Sequence, residues 1–241
     1  MNYKETTEFF ANNNYVVVKN FINKGLAKFM YDYTILKNKS VKHLITTKYV
    51  PEGTFFGTFE DGQVPGVYSC YSDWLMETLL ETSTIDVGRI VGLNLLPTYS
   101  YYRVYLNGSE LKRHKDRPSC EVSTTLCLGY DNSGAPVGYN WGMFVEKSGE
   151  RDKKGKEIFM EPGDMIIYRG CKIEHWREKF KGTNLSQVFL HFNDGEGPYK
   201  DICKYDGRPM LGLPHDYKDA EMKKKMLELN DALLKKEGKL K

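Results

Sequence analysis

Hydrophobic and polar positions alternate along this chain in two styles. Residues 14–20, Asn-Tyr-Val-Val-Val-Lys-Asn, form a short β-branched run that reads as a buried strand. Ile22, Leu26, Phe29, Met30, Tyr33 and Leu36 then recur at helical spacing, so the chain is expected to open with a strand and an amphipathic helix. Residues 48–68 are rich in Gly, Pro and aromatics without a period, which predicts a long loop ordered by a functional site. Trp74, Leu75, Met76, Leu79 and Leu80 predict a second helix over 73–82. From about 89 to 192 the pattern changes to short strands, at 99–106, 121–130, 141–146, 157–161, 164–169 and 186–192. They are separated by Asn107-Gly108, Asp131-Asn132-Ser133-Gly134, a charged hairpin at 147–156 and the Pro162-Gly163-Asp164 turn. Short strands so closely punctuated predict a sandwich or barrel. Met222, Met226, Leu229 and Leu233 make one stripe over 217–236, an amphipathic helix expected to cover the outside of the sheet and to fray after Gly238. The expected fold class is mainly β with flanking helices around one double-stranded β-core. A single domain over 1–241 is expected, with its core at about 89–192 and the N-terminal and C-terminal helices outside.

Composition narrows the function. Mean hydropathy is −0.55, and the longest apolar runs fall far short of the ~20 residues of a membrane span. The opening Met1-Asn2-Tyr3-Lys4-Glu5-Thr6 has no charged segment followed by an apolar core, so no secretory leader is expected. Five Cys, an odd number without a Cys-x-x-Cys pair, argue against a disulfide framework and against a thiolate zinc site, and lead to the expectation of a reducing cytoplasm. The net charge is only +3, and no basic stripe interleaved with aromatics appears, so a nucleic-acid partner is not expected. The Lys-rich helix at 217–236 carries balancing Glu and Asp and reads as a solvated face. Of the 35 basic residues only eight are Arg, the side chain that pairs with carboxylates through two parallel hydrogen bonds. Any imidazole metal site must draw on five His.

Two stretches carry chemistry. In Tyr105-Leu-Asn-Gly108-Ser-Glu-Leu111-Lys-Arg-His114-Lys-Asp116-Arg117, one residue separates His114 from Asp116, so on a strand both project from one face. Standing alone, the pair reads as a surface ion pair in a charged turn. The second stretch, Glu161-Pro-Gly163-Asp164-Met-Ile-Ile-Tyr168-Arg-Gly170-Cys-Lys-Ile-Glu174-His175, is a turn, a hydrophobic strand, another turn and then a His. His175 can complete a face of two His and one carboxylate, an arrangement that leaves three positions open on octahedral iron.

With these residues in view the sequence resembles the 2-oxoglutarate/Fe(II)-dependent oxygenases, in particular the prolyl 4-hydroxylase-like branch. That branch carries a Tyr-x-x-Gly-x-x-(aromatic or aliphatic)-x-x-His-x-Asp pattern, on which Tyr105, Gly108, Leu111, His114 and Asp116 fall in register; its distal His follows a Gly-Asp turn and a hydrophobic strand, as His175 does. The resemblance implies a double-stranded β-helix, a jelly roll of cupin-like form, with the metal near one open end. It implies His114, Asp116 and His175 as catalytic metal ligands, with Fe(II), 2-oxoglutarate as co-substrate, O2, and ascorbate as a possible reductant. It further implies hydroxylation of an amino-acid, peptidyl or small-metabolite substrate with release of succinate and CO2, and it places Tyr105 beside 2-oxoglutarate. Family halogenases replace the carboxylate ligand, so the retained Asp116 favours hydroxylation.

One departure stands out. The family usually carries a Lys or Arg about ten residues after the distal His to pair with the 5-carboxylate of 2-oxoglutarate, and here Leu185, Ser186 and Gln187 occupy that neighbourhood. Arg103 shares a strand face with Tyr101 and Tyr105 and is the replacement expected for this role, with Gln187 as a neutral donor and Arg177 or His191 reaching in from the last strands. The missing cation also leaves open a non-catalytic jelly-roll binding or structural protein, and a metal-dependent isomerase or lyase that works without 2-oxoglutarate. A small-molecule or peptide substrate is expected, selected by the 48–68 and 131–140 loops.

Overall fold

The computed structural model describes residues 2–53, 55–236 and 238. The chain opens with a helix, α1 (Tyr3–Asn13), where a strand was expected; it buries one side chain, Phe10, too sparse a stripe to register as a period. β1 (Tyr15–Val18) follows as expected. α2 (Lys24–Thr46) starts where the Asn23 side chain accepts the Leu26 N–H, and it runs well past the stripe ending at Leu36 because Val41 continues its buried face. β2 (Tyr68–Tyr71) arises from the end of the segment expected to be loop. α3 (Trp74–Val91) is capped by Asp73, which accepts from Leu75 and Met76, and Val87, Ile90 and Val91 carry its buried face beyond residue 82.

The core strands are β3 (Leu95–Leu106), β4 (Leu111–His114), β5 (Val122–Asp131), β6 (Met143–Val145), β7 (Lys156–Ile158), β8 (Met165–Tyr168), β9 (His175–Arg177) and β10 (Asn184–Asp194), followed by the short α4 (Lys200–Cys203) and by α5 (Ala220–Lys236). They form a six-stranded sheet, ordered β1-β8-β5-β10-β3-β2, and a four-stranded sheet, ordered β4-β9-β6-β7. All pairings are antiparallel. This is the expected jelly roll.

Strand alternation divides the larger sheet's side chains between two environments. Tyr102 and Val104 of β3, Leu126 and Leu128 of β5 and Val188 and Leu190 of β10 pack in one cluster with Met30, Met76 and Leu80 of the helices. The intervening residues, among them Tyr101, Arg103, Thr125, Phe189 and His191, line a cavity shared with His114, His175 and Arg177 of the smaller sheet.

The C-terminal helix departs from expectation. α5 buries none of its residues, and Met222 and Met226 sit against Gly207 in the turn after α4, while the outside of the larger sheet belongs to α2 and α3. The fraying expected after Gly238 lies outside the described residues. Among the described residues no helix is long and apolar enough to cross a membrane.

Candidate active site

Strand register brings the first two site residues together. β4 pairs with β9 so that His114 lies directly opposite His175, with a bulge between Leu111 and His114. Asp116 arrives by a different route from the one its spacing suggests, because β4 ends at His114. Beyond the strand, the Asp116 N–H donates to the Gly170 carbonyl at 2.9 Å. Gly170 permits that approach: a Cβ there would collide with the Asp116 carboxylate and with the Cys120 carbonyl. Gly108, with φ +83°, takes the left-handed turn between β3 and β4 that sets this strand's course.

The three candidate ligand atoms converge. Asp116 Oδ1 is 3.3 Å from His175 Nε2 and 3.6 Å from His114 Nε2. A first-row ion with bonds of about 2.1 Å in octahedral geometry needs adjacent donors roughly 3 Å apart, so the spacing fits one ion. The tautomers sharpen the argument. His114 Nδ1 lies 2.8 Å from the Lys112 carbonyl and His175 Nδ1 3.3 Å from the Ile173 carbonyl. Carbonyl oxygens only accept, so each neutral ring carries its proton on Nδ1 and turns an Nε2 lone pair toward the Asp116 carboxylate. Two lone pairs and a carboxylate oxygen aimed at one point repel unless a cation lies between them.

The carboxylate is itself oriented. Ser123 Oγ donates to Asp116 Oδ2 at 2.6 Å, and Ser123 Oγ lies 3.0 Å from His191 Nδ1, which as an N–H supplies the second bond of this relay. Burial alone would raise the Asp116 pKa; in the metal-free protein the positive charge that His175 and His114 bring when protonated reverses this and holds the group well below the usual carboxylate range. Burial pulls His175 down and lowers His191 to about 4. Asp116, Cys120 and His191 form a second convergence, yet burial pushes the Cys120 thiol well up and its Sγ lies 3.0 Å from the Tyr99 hydroxyl, so no thiolate is available there.

These shifts fix a pH dependence for the metal-free protein. Unfolded His191 takes up a proton near pH 6.5, whereas the folded group stays neutral until about pH 4. In that window the unfolded chain binds more protons, so stability is full above pH 6.5 and declines as pH falls toward 4, by roughly 1 kcal/mol per pH unit. His175, lowered in the same sense, adds to the loss. Thermal melts of the metal-free protein between pH 7.5 and 4.5 are expected to show a falling midpoint, and His191→Gln a shallower fall; a flat profile would contradict the assignment.

The three candidate ligands line a cavity of about 400 Å³, within the range of small-molecule sites. Its walls include Tyr99, Tyr101, Phe189, Lys115 and Arg117. Arg103, expected as a carboxylate clamp, lines the cavity but is already engaged: its Nε donates to Asp61 Oδ2 at 2.5 Å and its Nη2 to Asp61 Oδ1 at 3.1 Å. Tyr105 is fully buried behind it, accepting from Arg103 Nη1 at 3.3 Å and packed edge-on against Trp141. Gln187 is buried on β10 opposite Arg103 and is not among the residues that line the cavity, and its Oε1 has no hydrogen-bond partner among the described residues.

Sequence reasoning passed over Asp61, Ser123 and Gly170. Asp61 also accepts from the Tyr101 hydroxyl and from the Gln63 and Val64 N–H groups, so it pins the 48–68 segment to the cavity wall. Its Asp61-Gly62 turn is a local signal, but nothing local reveals an Arg forty-two positions away. At the rim, Arg117 donates twice to the buried Asp206, tying the segment after α4 to the site.

No family model matches the chain, and no curated protein matches it. Solved structures do. A 2OG-Fe(II) oxygenase family oxidoreductase from Burkholderia pseudomallei superposes with TM-score 0.55 at 12% identity over 83% of this chain and 94% of its own. HygX from Streptomyces hygroscopicus, solved with nickel and 2-oxoglutarate bound, gives TM-score 0.52 at 11% identity over 80% and 87%. A Trichoplax adhaerens prolyl hydroxylase in complex with a hypoxia inducible factor peptide fragment gives 0.51 at 13% identity over 79% and 88%. At such identities the likeness is one of fold: the chain has the jelly-roll fold of the 2-oxoglutarate/Fe(II) oxygenases and of the prolyl hydroxylases among them.

Proposed function

We propose that this chain is an Fe(II)/2-oxoglutarate-dependent dioxygenase that hydroxylates an amino-acid, peptidyl or small-metabolite substrate. The observation that carries the reading is the convergence of two imidazole lone pairs and a carboxylate at one end of a jelly roll, opening into a cavity of small-molecule size. Iron held by His114, Asp116 and His175 supplies, with 2-oxoglutarate and O2, the oxidising power for hydroxylation and the release of succinate and CO2. The chain's own residues do the rest. The Lys112 and Ile173 carbonyls fix both imidazole tautomers, and the Ser123 hydroxyl leaves Asp116 Oδ1 free to ligate. Tyr99, Tyr101 and Phe189 keep the cavity apolar on one side, and Asp61 closes the loop wall over it. HygX, solved with nickel and 2-oxoglutarate bound, and the Trichoplax enzyme, solved with a peptide fragment, support a metal with a 2-oxo acid co-substrate and a substrate that is either small or peptidyl. Five free cysteines fit a cytoplasmic setting, and ascorbate would serve as reductant.

The test is product formation. Protein given Fe(II), 2-oxoglutarate and air is expected to form succinate above a protein-free control, faster once a hydroxylatable substrate is added. No excess succinate with any of free amino acids, peptides or small metabolites would overturn the reading in favour of a non-catalytic binding protein.

A further inference from the structure

Arg177 stands apart from the other buried arginines, Arg103 and Arg208. Arg103, Arg113, Arg117 and Arg208 each bond a carboxylate, from Asp61, Glu174, Asp206 and Glu77 respectively. Arg177 is 2% exposed, and among the described residues it has no carboxylate partner: Nη1 donates to the Trp141 carbonyl at 2.8 Å, the guanidinium lies 4.5 Å from the Trp141 ring centroid, and Nη2 donates to nothing. A guanidinium does not shed its proton in a protein, so this is a buried cation without a counter-ion, an arrangement that is strongly unfavourable unless an anion joins it.

Its position says which anion. Arg177 stands two residues after His175 on β9 and lines the same cavity as the three ligands. Two strand residues separate Cα atoms by roughly 6–7 Å, a gap that a short dicarboxylate spans from the metal end to the guanidinium. Thr125, in that cavity and beside Tyr168, offers an Oγ1 that likewise has no hydrogen-bond partner among the described residues. Arg103 is poorly suited to the task because Asp61 already neutralises it through both oxygens.

We propose that Arg177, assisted by the Thr125 hydroxyl, binds the distal carboxylate of the 2-oxo acid co-substrate, in place of the cation missing ten residues after His175. This rests on the dioxygenase reading and assigns the co-substrate clamp within it. The bidentate fork of Arg matches a carboxylate and explains why the +10 position can be Leu185.

The experiment is calorimetric titration of Co(II)-loaded protein, without turnover, with 2-oxoglutarate and with 2-oxovalerate, which has the same chain length but no distal carboxylate. The native protein is expected to bind 2-oxoglutarate about 100-fold more tightly than 2-oxovalerate, the size expected of a bidentate charged pair. Arg177→Gln should erase that preference while leaving Co(II) affinity and 2-oxovalerate binding in place, and Arg177→Lys should restore part of it. If Arg177→Gln does not fold, the Lys variant decides: an undiminished preference overturns the proposal. Equal binding of both acids by the native protein also overturns it, as does a loss that follows Arg103→Gln while Arg177→Gln binds normally. Failure of the native protein to bind Co(II) or either acid would instead sink the dioxygenase reading itself.

Discussion

Asp116→Ala is expected to bind Fe(II) at least about 100-fold more weakly than the native chain and to make no succinate, with its far-ultraviolet circular dichroism unchanged. Removing a residue that merely orients a ligand costs 10–100-fold in metal affinity, and in the proposed reading Asp116 supplies a ligand atom outright, so its loss should exceed that range. The fold should survive because the backbone bond from Asp116 N–H to the Gly170 carbonyl is independent of the side chain. Two His side chains would remain, 4.3 Å apart between ring centroids, too few to hold a first-row ion in competition with buffer. Equilibrium dialysis with Fe(II) under argon reads the effect. Native-like affinity in this variant would move the metal elsewhere.

Asp61→Ala is expected to lower folding stability by about 3–5 kcal/mol, the range for breaking a buried ion pair by deleting one partner. Both side chains are nearly sealed from solvent, with exposures of 6% for Arg103 and 1% for Asp61, so little screening softens the loss. The Asp61 carboxyl shows the pairing: burial would raise its pKa, but Arg103 and the Tyr101 hydroxyl overcome that and lower it. Without the carboxylate, Arg103 becomes a second buried cation beside the cavity, and the Gln63 and Val64 N–H groups lose their acceptor. The loop from 48 to 68 should then detach from the wall and become open to proteolysis. Urea unfolding measures the first effect and limited chymotrypsin digestion, with sites at Phe55, Phe56 and Phe59, the second. A cost below about 1 kcal/mol would mean that the pair adds little to the fold.

How legible this was from sequence differs from element to element. The core strands announced themselves because alternation and Gly-rich turns are local signals, and β5, β8 and β10 lie where the pattern put them. β2 and β9 were not legible: each is four residues or fewer and owes its existence to partners on β3, β4 and β6. α1 packs through a single buried Phe10, which leaves no period to detect. The meeting of His114, Asp116 and His175 was readable from motif spacing, although the expected reason, one strand face for His114 and Asp116, gave way to a cross-strand pair and a backbone bond to Gly170. The carboxylate clamp was the least readable part. Arg103 and Arg177 look alike in sequence, both close to the motifs, and only the placement of Asp61 separates a satisfied cation from an unsatisfied one.

In the proposed reading His114, Asp116 and His175 hold a metal open to a chelating 2-oxo acid. Anaerobic titration of the native protein with Fe(II) and 2-oxoglutarate, followed by visible absorbance, tests this most directly. A weak metal-to-ligand band is expected to grow only when both are present, to saturate at one Fe(II) per chain, and to be absent from Asp116→Ala. No band in the native protein, or the same band in Asp116→Ala, would contradict it.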